Sequence, residues 1–178
     1  QFFLVVPGEI RAVTGRTKKF EQSTLRFTVL ATQIDSMARG LVLLEPHEQI
    51  SELIDTAITF VSGTSGELVL LNVSEENDDA ERNERMQALT DKESAYRPGV
   101  DGSEQFAEDI GKKYIGNQVP YHATGGFGEP AGRVAATVEE YDCDHVFLLG
   151  RRRSPTGKAL FGDKTQAVLL ESDVPVMV

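Results

Sequence analysis

The stretch GRRRSPTGKALFGD, Gly150 to Asp163, gathers residue types that hold phosphate: glycines, three consecutive arginines, a Gly-Lys pair and two hydroxyls. Arginine's planar fork matches phosphate bidentately, and glycine lets backbone N–H groups approach an anion closely. Spacing tests two known phosphate loops. A Walker A loop needs a glycine five positions before its Gly-Lys and a Ser or Thr directly after the lysine, whose hydroxyl holds Mg2+. Gly157-Lys158 is followed by Ala159, and Arg152 stands where the first glycine belongs. The dinucleotide fingerprint G-x-G-x-x-G follows a first strand and opens a long helix. Here Gly150, Gly157 and Gly162 are seven and five residues apart and follow a late strand. The stretch is neither loop.

Other reactive side chains are sparse. His47, His122 and His145 lack the spacing of metal ligands, and His122 and His145 fall within strands, as packed or edge histidines do. Glu45 beside His47 has the types for acid–base work, but no nucleophile elbow or second carboxylate accompanies them. A single cysteine, Cys143, excludes an internal disulfide and a multi-cysteine zinc site. Its setting, YDCDHV, reads as a partly buried thiol that nothing activates. Ser154-Pro155 and Thr156 have acceptor hydroxyls for phosphorylation.

These residues need a scaffold, and 178 residues supply one full core. The apolar share of 40% suits a globular protein, and the longest apolar runs are too short to span a bilayer. The opening QFFLVVPGEIRAVTGR is no secretory signal, because its apolar stretch stops at Pro7 with no basic region before it. With one cysteine, the reducing cytosol is the expected compartment. A net charge of −10 argues against general affinity for nucleic acid. Residues 1–36 carry +2 and the remainder −12. That break, with Met37, marks residues 1–36 as an N-terminal extension: an upstream start, the tail of a fused protein, or a genuine arm with a strand from Arg26 to Ala31.

From Met37 the chain alternates strand and helix. Strands are expected at Leu41–Leu44, Glu67–Val73, Gln118–Thr124, His145–Gly150 and Val174–Val178, most of them apolar throughout, as when both faces are covered. Pro120 points to an edge position for the third. Helices follow from apolar spacing of three and four: Ile50, Leu53, Ile54, Ala57, Ile58 and Val61 share one face. Further helices are expected at Asp79–Leu89, with Glu81–Arg85 at i,i+4, then Glu104–Tyr114, 129–141 and Asp163–Glu171. The fold class is therefore α/β, an open five-stranded parallel sheet with helices on both faces. Ligands of such sheets sit outside the carboxyl ends of strands where the order reverses.

Gly150 at a strand end, a cationic hydroxyl-rich loop, and Gly162 opening a helix resemble the universal stress protein family. Its signature there is G-x2-G-x9-G-[S/T], which wraps the ribose and phosphates of ATP in the nucleotide-binding branch. LVLLEP, ELVLLNVSEE, the run from GGFGEP to LLGRR, and SDVPVMV resemble its successive segments, so the likeness spans nearly all of residues 37–178. The resemblance implies a Rossmann-like sheet of order 3-2-1-4-5. It puts Glu45 near the adenine, Val73 on the base, and Leu149 and Gly150 on the ribose side. It also implies phosphate at Gly162, Asp163, Lys164 and Thr165, where a helix start offers free N–H groups. Arg151, Arg153, Gly157 and Lys158 belong to the same loop.

Three departures stand out. The second signature glycine is Arg153, the following spacer is eight residues, and the final hydroxyl is Asp163. A carboxylate at a phosphate pocket repels the anion by about 1 kcal/mol in water and about 4 at an effective dielectric of 20, at 4 Å. Arg151, Arg152, Arg153, Lys158 and Lys164 offset this, or Asp163 recruits Mg2+, or Asp163 simply caps its own helix. The expectation is a cytosolic stress-response protein that binds ATP, with Mg2+ as a possible companion, and no more than a weak ATPase. The alternative is a dimeric, non-nucleotide interaction module of the same fold. By resemblance, the apolar last strand 174–178 pairs with a second copy.

Overall fold

The computed structural model describes residues 38–76, 80–150 and 163–178. All of them belong to one compact unit, Gln33–Val178. The 1–36 extension and its expected strand, Met37 and the loop from Arg151 to Gly162 lie outside the described residues.

Five parallel strands, β1 (Arg39–Leu43), β2 (Glu67–Ser74), β3 (Tyr121–Phe127), β4 (His145–Phe147) and β5 (Val176–Met177), form one sheet of order β3-β2-β1-β4-β5. The expected fold class and order are both found. Chain order reverses between β1 and β4, so the crevice lies outside their carboxyl ends. Helices α1 (Ile50–Ser62), α2 (Ala80–Thr90) and α3 (Val100–Ile110) follow the first strands, and α4 (Pro130–Tyr141) and α5 (Asp163–Glu171) follow β3 and β4.

Side-chain alternation in the strands divides the core. Val42, Leu44, Leu68, Leu70 and Phe147 pack with Ile50, Ile54, Ala57 and Val61 of α1 and Phe106 and Ile110 of α3. Leu41, Leu43, Val69, Leu71 and Val146 point the other way, against Ala131 and Val134 of α4 and Val168 of α5. Full burial of each such aliphatic side chain contributes about 1.5–3 kcal/mol. Both faces are thus covered, which is why the strands read as unbroken apolar runs.

Several boundaries differ from the sequence expectation. Helix α3 begins at Val100, four residues before Glu104, and a π turn, Gly111–Ile115, continues it. The early start follows from close packing. A Cβ on Gly102 would stand 1.7 Å from the Arg97 carbonyl oxygen, and one on Gly125 of β3 2.2 Å from that of Val100. Apolar periodicity is silent about a first turn built on glycine. β3 is displaced to Tyr121–Phe127 and does lie at an edge, with Pro120 just before it. β4 ends formally at Phe147, yet the Leu148 N–H still donates to Met177 at 3.0 Å. Helix α4 starts on Pro130 with Glu129 as its cap, accepting from Ala131 N at 3.2 Å and Gly132 N at 2.8 Å.

Candidate functional site

The crevice is built from the strand ends. Leu44 N donates to Leu71 O at 2.7 Å, which carries the β1–β2 ladder past Leu43. Val42 pairs with Phe147 across β1 and β4, and Glu45 and Gly150 follow two and three residues beyond the ends of these neighbouring strands. Glu45, Leu149 and Gly150 are each half-buried there, one side in the fold and one toward solvent. Three residues expected at the site are therefore brought to one place.

At the end of β2, Asn72 is fully buried and donates Nδ2 to Leu44 O at 2.6 Å, tying the ends of β1 and β2 together. Arg82 of α2 reaches the same point, donating from Nη2 to Val73 O at 2.8 Å and to Asn72 Oδ1 at 3.4 Å. Its Nη1 lies 3.1 Å from Met86 Sδ. Val73 itself is buried, and its carbonyl accepts from Arg82. Neither Asn72 nor Arg82 was selected from sequence. The available signal was a lone amide inside the apolar run ELVLLNV, since a buried amide needs specific partners. Nothing in the acidic segment around Arg82 announced it.

The other wall is the start of α5. Asp163 is its first residue and is exposed, whereas Thr165 is buried with Oγ1 3.4 Å from Leu149 O. That hydroxyl links α5 to the end of β4. Lys164 forms an ion pair with Glu75, the residue after β2, with both side chains partly exposed. The first turn of α5 is thus joined to the ends of β2 and β4, and a helix start carries the partial positive charge that favours an anion. Arg151, Arg153, Gly157, Lys158 and Gly162 lie outside the described residues, as do Ser154 and Thr156.

The remaining reactive groups are packed into the fold. His47 Nδ1 accepts from Gln49 N at 3.2 Å, which makes it part of the turn entering α1. His122 Nε2 lies 2.9 Å from Tyr141 Oη at the sheet edge, and the His145 ring centroid is 4.4 Å from that of Phe60. Cys143 is buried more fully than expected, at 5% exposure, and burial pushes its thiol up to about 11. Tyr96 donates to Asp109 Oδ2 at 3.0 Å and its Oη lies 2.7 Å from Thr90 Oγ1, and Lys92 pairs with the same carboxylate at 2.8 Å. Burial raises the Tyr96 hydroxyl well above the usual phenol range, so it stays protonated and fastens the α2–α3 connection. Among the described residues no group of three His, Cys, Asp or Glu side chains could hold a metal ion.

Comparison with known proteins agrees with this architecture. The family model described as the universal stress protein family matches residues 40–178. Among solved structures, the universal stress protein UspA from Lactobacillus plantarum is 13% identical with a TM-score of 0.55, covering 80% of this chain and 97% of its own. A universal stress protein from Archaeoglobus fulgidus is 16% identical with a TM-score of 0.53, covering 79% and 96%. A universal stress protein solved in complex with cAMP is 14% identical with a TM-score of 0.52, covering 79% and 94%. No curated sequence is significantly similar. With its five-stranded order, its reversal between β1 and β4 and a family match over most of its length, the chain belongs to the universal stress protein family.

Proposed function

We propose that this protein binds an adenine nucleotide, ATP, in the crevice outside β1 and β4 and acts in a cytosolic stress response by sensing or signalling. The observation that carries this reading is the convergence of Glu45, Leu149 and Gly150 with Thr165 at the start of α5. A fold neighbour solved with cAMP supports the ligand class. ATP would supply an anionic tail to the helix start and an apolar base to the half-buried strand ends. Leu149 and Gly150 shape the ribose side, Val73 meets the base, and Arg151, Arg153 and Lys158 supply cations from the loop. Turnover is expected to be a weak ATPase at most. The net charge of −10 disfavours nucleic acid, and among the described residues no helix is long and apolar enough to cross a membrane.

The apolar end of the chain supports a homodimer through residues 174–178. β5 is a terminal strand of the sheet, and Leu170 and Val178 are 77% and 53% exposed. An unpaired edge bearing apolar side chains invites a second copy. Light scattering at micromolar concentration is expected to give twice the chain mass, and a monomer would remove this part.

Calorimetric titration with ATP, with and without Mg2+, tests the nucleotide. Micromolar binding is expected. Asp163→Ser should tighten ATP if the carboxylate repels phosphate and weaken it only with Mg2+ present if the carboxylate holds the ion. An unchanged affinity would exclude both roles. A second reading, a dimeric module that takes no nucleotide, is favoured by the Arg82 cap on Val73 O and the Lys164–Glu75 pair, which occupy groups a nucleotide needs. Absence of heat and of a thermal shift would select it.

A further inference from the structure

On the α2–α3 side of the β2 end lies a cavity of about 50 Å3, lined by Ser74, Arg82, Asn83, Met86, Tyr96, Arg97, Pro98 and Ser103. One ordered water needs only about 10–15 Å3 of such space, so the cavity has room for several waters or one tetrahedral ion. Ser103 is 2% exposed and its Oγ has no hydrogen-bond partner. A buried hydroxyl without a partner is unfavourable, which points to a ligand. The first backbone bond of α3 runs from Ser103 N to Gly99 O at 3.1 Å, so the amides of Val100, Asp101 and Gly102 precede it and carry the positive end of the helix. Arg97 adds an exposed guanidinium, and Arg82 contributes a second to the lining.

The walls are held in place. Asn83 brackets Tyr96, donating Nδ2 to its carbonyl at 2.8 Å and accepting its N–H at 3.0 Å. Gly99 N donates to Ser74 Oγ at 3.3 Å, which pins the start of α3 to the end of β2. Of the carboxylates next to lining residues in sequence, Glu81, Glu84 and Glu104 are exposed and Glu75 is ion-paired with Lys164. We infer that this cavity is a binding site for one small oxyanion of phosphate or sulfate type, held by Ser103 Oγ and Arg97 beside the positive end of α3. It does not rest on nucleotide binding at the β1–β4 crevice.

Amide shifts of the full chain, followed by NMR during titration with sodium sulfate and then sodium phosphate, test it against sodium chloride at equal ionic strength. The expected result is saturable movement of the amides from Gly99 to Glu104 at roughly millimolar anion, with no such movement in chloride. Arg97→Gln, at an exposed position that leaves the fold intact, is expected to weaken binding roughly tenfold, as loss of a charge-assisted contact does. Ser103→Ala is expected to weaken it several-fold. Equal shifts in chloride, wild-type affinity in both variants, or movement confined to the start of α5 would overturn the inference. In the first two cases the cavity holds only water, and in the third the anion binds the crevice.

Discussion

Lys164, in the first turn of α5, is ion-paired with Glu75, which directly follows β2, so one contact spans the mouth of the crevice past the intervening β1. The lysine that a phosphate would recruit is thereby shared with a carboxylate. If nucleotide binding uses Lys164, the phosphate must draw it from Glu75. Glu75→Gln should then tighten ATP about two- to fivefold, and Lys164→Ala should weaken it by a similar factor, the scale of a partly exposed pair. Chemical denaturation should show each variant within about 1 kcal/mol of wild type, because the pair is solvated. Unchanged ATP affinity in Glu75→Gln would mean that the phosphates never reach this lysine.

The sheet and its covering helices were legible because their signals are periodic. The α1 face of Ile50, Leu53, Ile54, Ala57, Ile58 and Val61 is buried as its spacing requires. The apolar runs at Leu41 and Glu67 are central strands. What was not legible depends on contacts between distant segments. Lys164 reads as a phosphate ligand from its place after Gly162, and only the fold reveals Glu75 beside it. Arg82 sits in a polar helix with two glutamates and two arginines, of which only Met86 is buried, and no local rule says that its side chain turns back to Val73 O. The first turn of α3 contains two buried residues, Gly102 and Ser103, without apolar side chains, so periodicity could not find it.

Asn72 fixes the distance between the ends of β1 and β2. Its amide donates to Leu44 O at 2.6 Å from a fully buried position. Asn72→Leu removes that donor from the Leu44 carbonyl and takes away one of the acceptors of Arg82. The expected loss is about 2–3 kcal/mol, read as a lower urea midpoint at unchanged slope. A stability within 0.5 kcal/mol of wild type would show that the amide contributes little to the crevice, about the level of an ordinary surface change.

Two glycine substitutions should have opposite signs. An added Cβ at Gly102 meets the Arg97 carbonyl oxygen at 1.7 Å, and a backbone atom cannot rotate away, so Gly102→Ala should displace the start of α3. A destabilisation of more than about 2 kcal/mol is expected for a forced backbone shift. At Gly132, in the first turns of α4, the nearest atom would be Glu129 Oε2 at 3.6 Å, an ordinary contact. Gly132→Ala should therefore stabilise by about 0.5–1 kcal/mol through helix propensity. Thermal melts of the two variants check the contrast, and a shift of the same sign in both would contradict it.

Cys143 gives the stability a pH dependence. Burial raises its thiol from 9.0 to about 11, with Asp144, Asp142 and Glu67 acting in the same direction and Arg39 opposing them. The unfolded thiol ionises first, so between pH 9 and 11 the unfolded state binds fewer protons than the folded one. The contribution is therefore fully present below pH 9 and is lost as the pH rises toward 11. Its size is on the order of 2 kcal/mol. Tyrosines and lysines titrate over the same range, so the comparison is with Cys143→Ala, which carries the same background. Urea unfolding at several values from pH 7.5 upward should show the gap between wild type and variant shifting by that amount in favour of the variant. A thiol reagent should also label the native chain slowly at pH 8 and the unfolded chain at once. A gap that stays constant with pH would mean that the thiol is not held neutral by the fold.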